Sequence, residues 1–119
     1  MNQKQFDKVL DRRIELIKEV LSSKGAEYST GKDKCHNFRR AGEMLRTTPE
    51  KALVGMWSKH LISIFDIVDK IENENLKIGL NFILNPLKVK ISKALIEEKI
   101  GDAINYLILL EALLKERYE

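Results

Sequence analysis

"EEKIGDAINYLILLEALL", residues 97–114, is the stretch that decides the fold. Leu95 and Ile96 just before it, then Ile100, Ala103, Ile104, Leu107, Ile108, Leu110 and Leu114, recur at spacings of three and four. They cover more than half the circumference of one helix, read here as 92–117. A helix this apolar is buried on several sides, either at the centre of a bundle or against another subunit. The expectation is an all-α bundle of three to four main helices, self-associated as a homo-oligomer.

The rest of the chain supplies the other helices. Phe6, Val9, Leu10, Ile14, Ile17, Val20 and Leu21 form one stripe on an amphipathic helix over 3–24, stopped by Gly25. "GAEYSTGKDKCH", 25–36, has no period and reads as a loop. A short helix follows, with Asn37 as its N-cap and Phe38, Ala41, Met44 and Leu45 facing inward. "TTPEK" opens the next helix: Thr48 caps, Pro49 sits where its missing N–H costs nothing, and Glu50 favours the positive helix end. Leu53, Met56, Trp57, His60, Leu61, Ile64, Ile67, Val68 and Ile71 then make a broad face expected to be buried. Residues 72–93, with Gly79, Asn85 and Pro86 breaking the apolar run, read as an irregular connector.

At 119 residues the chain is expected to be one domain, 1–119, with no internal repeat. A hydrophobic share of 44% beside 33% charged residues is that of a globular protein and excludes the disordered class. A formal charge of +3 makes phosphate-bearing partners plausible, but lacks the dense basic stripe of a duplex-DNA binder, so nucleic acid is not the expected partner. Cys35 is the only cysteine, which rules out an internal disulfide and leaves no zinc set. No signal peptide or membrane-length apolar run is evident, so the expected location is the cytoplasm and no membrane contact is expected.

Function is carried by the residues that break the apolar pattern. Glu98, Asp102 and Asn105 fall at i, i+4 and i+7 of the last helix, on one side. A carboxylate withdrawn from water costs several kcal/mol unless a cation, a metal or several donors compensate it. Carboxylates a turn apart can hold a divalent cation through oxygen ligands, and that cation can hold phosphates. The competing reading is structural: Asp102 pairs with Lys59 or Arg39 across the bundle and does nothing more. On the preceding helix Lys59, Ser63, Asp66 and Lys70 make a polar stripe beside the apolar one. If that stripe faces Glu98 and Asp102, the helices enclose a groove of both signs. Such a groove suits a nucleotide or another phosphorylated small molecule. His60, set among Trp57 and Ile64, reads either as a boundary residue of the core or as part of this groove.

The final stretch resembles the last core helix of the all-α nucleotide pyrophosphohydrolases, the MazG and dimeric dUTPase superfamily. Joined to "YSTGKDKCHNFRRAGEMLRTTPEKALVGMWSKHLISIFDIVDK", 28–70, it is similar to short phage-borne MazG-like proteins described as nucleotide-modification-associated or of unknown function. The resemblance implies Mg²⁺-dependent hydrolysis of a nucleoside triphosphate to the monophosphate and pyrophosphate. Asp102 matches the aspartate of the family's Glu-x-x-Asp motif. Lys99 stands where its glutamate belongs, so Glu98 would substitute, making Glu98 and Asp102 the catalytic candidates. With Asp66 they would be the metal ligands. The family's first acidic motif is missing from "GMWSKHLISIFDIVDK", 55–70. That deficit weakens metal binding and tilts the expectation from turnover to binding.

"KDKCHNFRRAGEMLR", 32–46, gathers further candidates. Lys32, Lys34, Arg39 and Arg40 lie near a helix N-terminus that favours bound phosphate, and Asn37 adds donors. His36 and Asp33 contact base or ribose, or merely cap the turn. With Lys59, His60 and Asn105, these make the expected nucleotide-binding set. Cys35 is read as a bystander. Three functions stand: a nucleotide-handling enzyme, a non-catalytic sponge for a nucleotide immune signal, and a helical protein-interaction module.

Overall fold

The computed structural model describes residues 1–23, 33–81 and 91–119, at 23 and 75–81 the backbone only. Among these residues lie four α-helices: α1 Gln3–Lys18, α2 His36–Leu45, α3 Pro49–Asn81 and α4 Lys93–Tyr118. No strand occurs among the described residues. The all-helical class expected from the sequence is therefore observed. No described helix is long and apolar enough to cross a membrane.

Local chemistry accounts for most helix ends. Asn2 caps α1, its side chain accepting from the Gln5 N–H at 2.9 Å while Gln5 returns a bond to the Asn2 N–H at 2.8 Å. After Lys18 the helix widens into a π-type turn, Glu19–Ser23, where the Ser22 hydroxyl donates to the Lys18 carbonyl. Thr48 caps α3 as expected, its Oγ1 accepting from the Lys51 N–H at 3.2 Å. Ser92 does the same for α4 through the Leu95 N–H at 3.0 Å.

Two sequence expectations are corrected here. α2 begins at His36, with Cys35 as its cap residue and no side-chain cap bond, so Asn37 lies inside the helix. The backbone turn is instead stabilised from Asp33, whose Oδ1 accepts from the Cys35 N–H at 2.9 Å. The expected connector 72–93 is also shorter, because α3 continues to Asn81. "ENENLKIGLN" contains no proline, and the one glycine within it, Gly79, costs a helix about 1 kcal/mol without breaking it. The part of the connector at 82–90 lies outside the described residues, as does the loop at 24–32 with Lys32.

α3 and α4 form the largest contact in the molecule, α2 packs on α3, and α1 touches α4. Glu50 meets Arg117 and His60 meets Asp102, so position rises along α3 as it falls along α4: the two helices are antiparallel. Trp57 Nε1 donates to the Ala103 carbonyl at 3.2 Å and fixes the helices against one another between those two points.

The core is small and lies toward one end. Cys35, Phe38, Leu53 and Leu113 are buried together, and Met56, Trp57, Tyr106, Leu109 and Leu110 pack around them. Leu53 is wholly enclosed, which stabilises the fold by about 2 kcal/mol. Several residues expected inside are not there. Met44 and Leu45 of α2 are 82% and 67% exposed, and Val68 of α3 is 56% exposed. α2 offers only its Phe38–Gly42 side to α3, and the opposite side faces outward. Gly42 makes that approach possible: a Cβ there would stand 3.0 Å from backbone atoms of Thr47, Thr48 and Pro49. The chain turns at Arg46 in the left-handed conformation, φ 55°, and the Thr47 N–H closes the helix end on the Gly42 carbonyl at 2.8 Å.

Candidate functional site

Beside the core, α3 and α4 enclose a cavity of about 470 Å³. This lies within the range of pockets that hold small organic ligands, roughly 300–1,000 Å³. α4 contributes Asp102, Asn105, Tyr106 and Leu109, which fall at i, i+3, i+4 and i+7 and so form one stripe. α3 contributes Met56 and His60, a turn apart. α2 and its approach contribute Lys34, Asn37 and Phe38, and the wide turn after α1 contributes Val20 and Leu21.

The wall is apolar and aromatic with a few polar groups converging on it. Tyr106 sits at its centre, with the Phe38 ring edge-on at 5.5 Å and the His60 ring tilted over it at 4.5 Å. His60 Nδ1 stands 3.7 Å from Asp102 Oδ2, beyond hydrogen-bond length. Both side chains are partly open to solvent. Asn105 is only 8% exposed, and its Oδ1 is buried with no hydrogen-bond partner among the described residues. An orphaned buried acceptor costs about 1–3 kcal/mol.

Five of the expected site residues come together here: Lys34, Asn37, His60, Asp102 and Asn105. The others do not. Arg39 is committed elsewhere, with its Nε donating to Asp33 at 2.7 Å and another guanidinium N–H to Glu116 at 2.7 Å. Those two carboxylates hold the guanidinium well above its ordinary pKa, Asp33 first, and Arg39 in turn holds the Asp33 carboxyl below its own. Asp33 thus serves the turn and this bridge. Arg40 is exposed and pairs with Glu43 at 2.9 Å. His36 is partly buried at the start of α2 but does not line the cavity.

Lys59 is exposed and outside the cavity, so the side chain facing Asp102 is His60 and not the lysine before it. One residue turns a helix by 100°, enough to separate neighbours onto different sides. Asp66 is likewise exposed. Glu98 fails for another reason. α1 packs on α4 at that turn: Arg13 donates to the Glu97 carbonyl at 3.1 Å and reaches over Gly101, and Arg12 pairs with Glu97 at 3.5 Å. Glu98 is left 62% exposed, near Lys99 at 3.9 Å. The polar line therefore runs from Asp102 towards Leu109, not back to Glu98.

The Mg²⁺ implied by the sequence resemblance does not fit the side chains in place. Among the described residues no group of three or more His, Cys, Asp or Glu is placed to hold a metal, so Glu98, Asp102 and Asp66 do not converge. Asp102 is the one carboxylate among the described cavity residues, while a hard cation takes six or more oxygens. Cys35 belongs to the core, and its burial pushes the thiol pKa up, with the Asp33 charge adding to it. A buried thiol so placed is inert.

The sequence reading missed the apolar half of the site. Tyr106 and Leu109 share the stripe of Asp102 and Asn105, a spacing present in the sequence but absorbed there into the general hydrophobicity of α4. Val20 and Leu21 carried no such signal. Comparison of the chain with models of protein families, with curated proteins and with solved structures finds no match.

Proposed function

We propose that the chain binds a nucleotide in the cavity between α3 and α4 and holds it intact. The observation that carries this reading is the buried, unpartnered Oδ1 of Asn105 in an otherwise aromatic wall. A nucleobase supplies what such a wall lacks, a flat apolar ring with N–H groups on its edge. Asn105 accepts from that edge, and Asp102 accepts from a second N–H or a ribose hydroxyl. Phe38 and Tyr106 provide the surface on which the base packs. Lys34 attracts the phosphate as a point charge, and Asn37 adds a polar contact beside it.

Binding is favoured over hydrolysis by the same geometry. Pyrophosphate release of the superfamily type needs a metal to gather the phosphates and activate water, and among the described residues the carboxylates for it are not assembled. A protein that binds a nucleotide without consuming it acts by sequestration. The likeness to phage-borne proteins makes a nucleotide signal of host defence the ligand class to try first.

The test is a melting screen of the purified chain against ribo- and deoxynucleoside mono- and triphosphates, cyclic dinucleotides and ADP-ribose derivatives, with and without Mg²⁺, recovering each ligand afterwards. A true ligand at a hundredfold excess over its Kd stabilises by about 2.7 kcal/mol, an easily visible shift. The expected result is a shift for one ligand class, recovered uncleaved, and lost in Asn105→Leu. No shift across the whole panel would sink the reading, and a cleaved product would replace binding with catalysis.

A further inference from the structure

The polar groups of the cavity are sorted by kind and by depth. Asn105, 8% exposed, lies innermost, and its Oδ1 is an acceptor unpaired among the described residues. Asp102, three residues earlier on α4, is partly open to solvent and adds two acceptor oxygens on the same stripe. His60 stands beyond hydrogen-bond length of that carboxylate and so does not occupy its lone pairs. The lysine of the wall, Lys34, is exposed and comes from the approach to α2. Two neighbouring acceptors thus line α4, and the positive charge lies on the rim. We propose that the nucleotide bound here carries guanine, with the N–H edge of the base held against Asp102 and Asn105. This assignment rests on the nucleotide reading above and names its base.

The common bases differ in what they present to a row of acceptors. Guanine offers its N1–H and its 2-amino group side by side, two parallel donors that match the two oxygens of one carboxylate. The 2-amino group has a second hydrogen, and Asn105 Oδ1 is placed to accept it, because residues three apart on a helix are neighbours. Adenine and cytosine set a ring-nitrogen lone pair beside their amino group, and that lone pair would face the Asp102 charge. Uracil and thymine flank a single N–H with two carbonyls, which a carboxylate repels. With the guanine edge inward, the glycosidic nitrogen points outward, and the phosphate lies on the rim with Lys34.

Titration calorimetry of the intact chain with GMP, IMP, AMP, CMP and UMP tests the assignment. GMP should bind about tenfold tighter than AMP, CMP or UMP, the discrimination expected of a good bidentate contact. IMP keeps the N1–H but lacks the 2-amino group, and should fall between. Asp102→Asn preserves the shape, removes the charge and exchanges one acceptor for a donor; it should bring AMP level with GMP, since an amide pairs with adenine. Lys34→Ala should weaken every nucleotide alike and keep their order, because a point charge reads phosphate and not base. AMP, CMP or UMP binding as tightly as GMP overturns the guanine assignment and leaves nucleotide binding standing. So does IMP equal to GMP, an undiminished guanine preference in Asp102→Asn, or a changed order in Lys34→Ala. No binding by any of the five overturns both.

Discussion

At Leu53 and Leu113, α3 and α4 meet as a closed core; two turns further along α3, His60 and, opposite it, Asp102 line a cavity. Both regions are built from similar apolar side chains, and the difference lies in how their polar groups are compensated. At the closed end every charge named has a partner. Arg117 grips Glu50 with two bonds of 2.8 and 3.0 Å, and Arg39 bridges Asp33 and Glu116. At the open end Asn105 Oδ1 has none among the described residues, and His60 and Asp102 stand too far apart to hydrogen-bond. The first region pairs its charges, and the second keeps a buried acceptor unpaired among the described residues.

The contrast can be broken most forcefully at Leu53. Leu53→Ala should cost about 3 kcal/mol in denaturant unfolding, because a wholly buried side chain leaves a cavity that its neighbours cannot fill. A cost near zero would mean that the closed end is not the core. Next comes Gly42→Ala, expected to lower stability by about 2 kcal/mol, since the added methyl meets backbone that cannot yield. Gly55→Ala is its control on α3: nothing lies within 4 Å of the new Cβ, so helix propensity alone should raise stability by about 0.8 kcal/mol.

At the open end the sign should reverse. Asn105→Leu removes an uncompensated buried acceptor and should stabilise the ligand-free chain by about 1 kcal/mol while abolishing any nucleotide-induced melting shift. A loss of stability would mean that the amide is a structural group, and the contrast between the two regions would fail.

The smallest effect concerns acid. Arg117, hydrogen-bonded to Glu50, holds that carboxyl down to about 2 from an ordinary 4.5. Between those values the unfolded chain takes up a proton that the folded chain refuses. The contribution of Glu50 is therefore complete above pH 4.5, shrinks as the pH falls, and is gone below about 2. Asp33, lowered by Arg39, adds in the same direction. Unfolding of Glu50→Gln followed from pH 6 to pH 2 should show a flatter acid limb than the unmodified chain. Parallel curves would remove the ion pair from the account of the closed end.

The helices and several of their ends were legible because they depend on residues three and four apart. Thr48-Pro49 announces α3, the stripe from Leu95 to Leu114 announces α4, and the interruption of that stripe by Asp102 and Asn105 marks two residues of the cavity wall. The errors arise where a local signal was asked a distant question. Glu98 shares a helix side with Asp102 in the sequence, but Arg12 and Arg13, more than eighty residues earlier, determine what covers that turn. Arg39 has the composition of a phosphate ligand, yet Glu116 from the other end of the chain engages it. Met44 and Leu45 look like core until α2 is seen to offer α3 its other side.

The order of amino acids thus determined, through side-chain periodicity and capping, an all-helical chain with a polar interruption in its most apolar helix. Which carboxylate faces a cavity, which cation is already occupied and which apolar faces stay open were decided only by tertiary packing. The physical reason is range. Helix formation is settled by bonds spanning four residues, whereas desolvation and charge pairing depend on which distant segment arrives to cover a group.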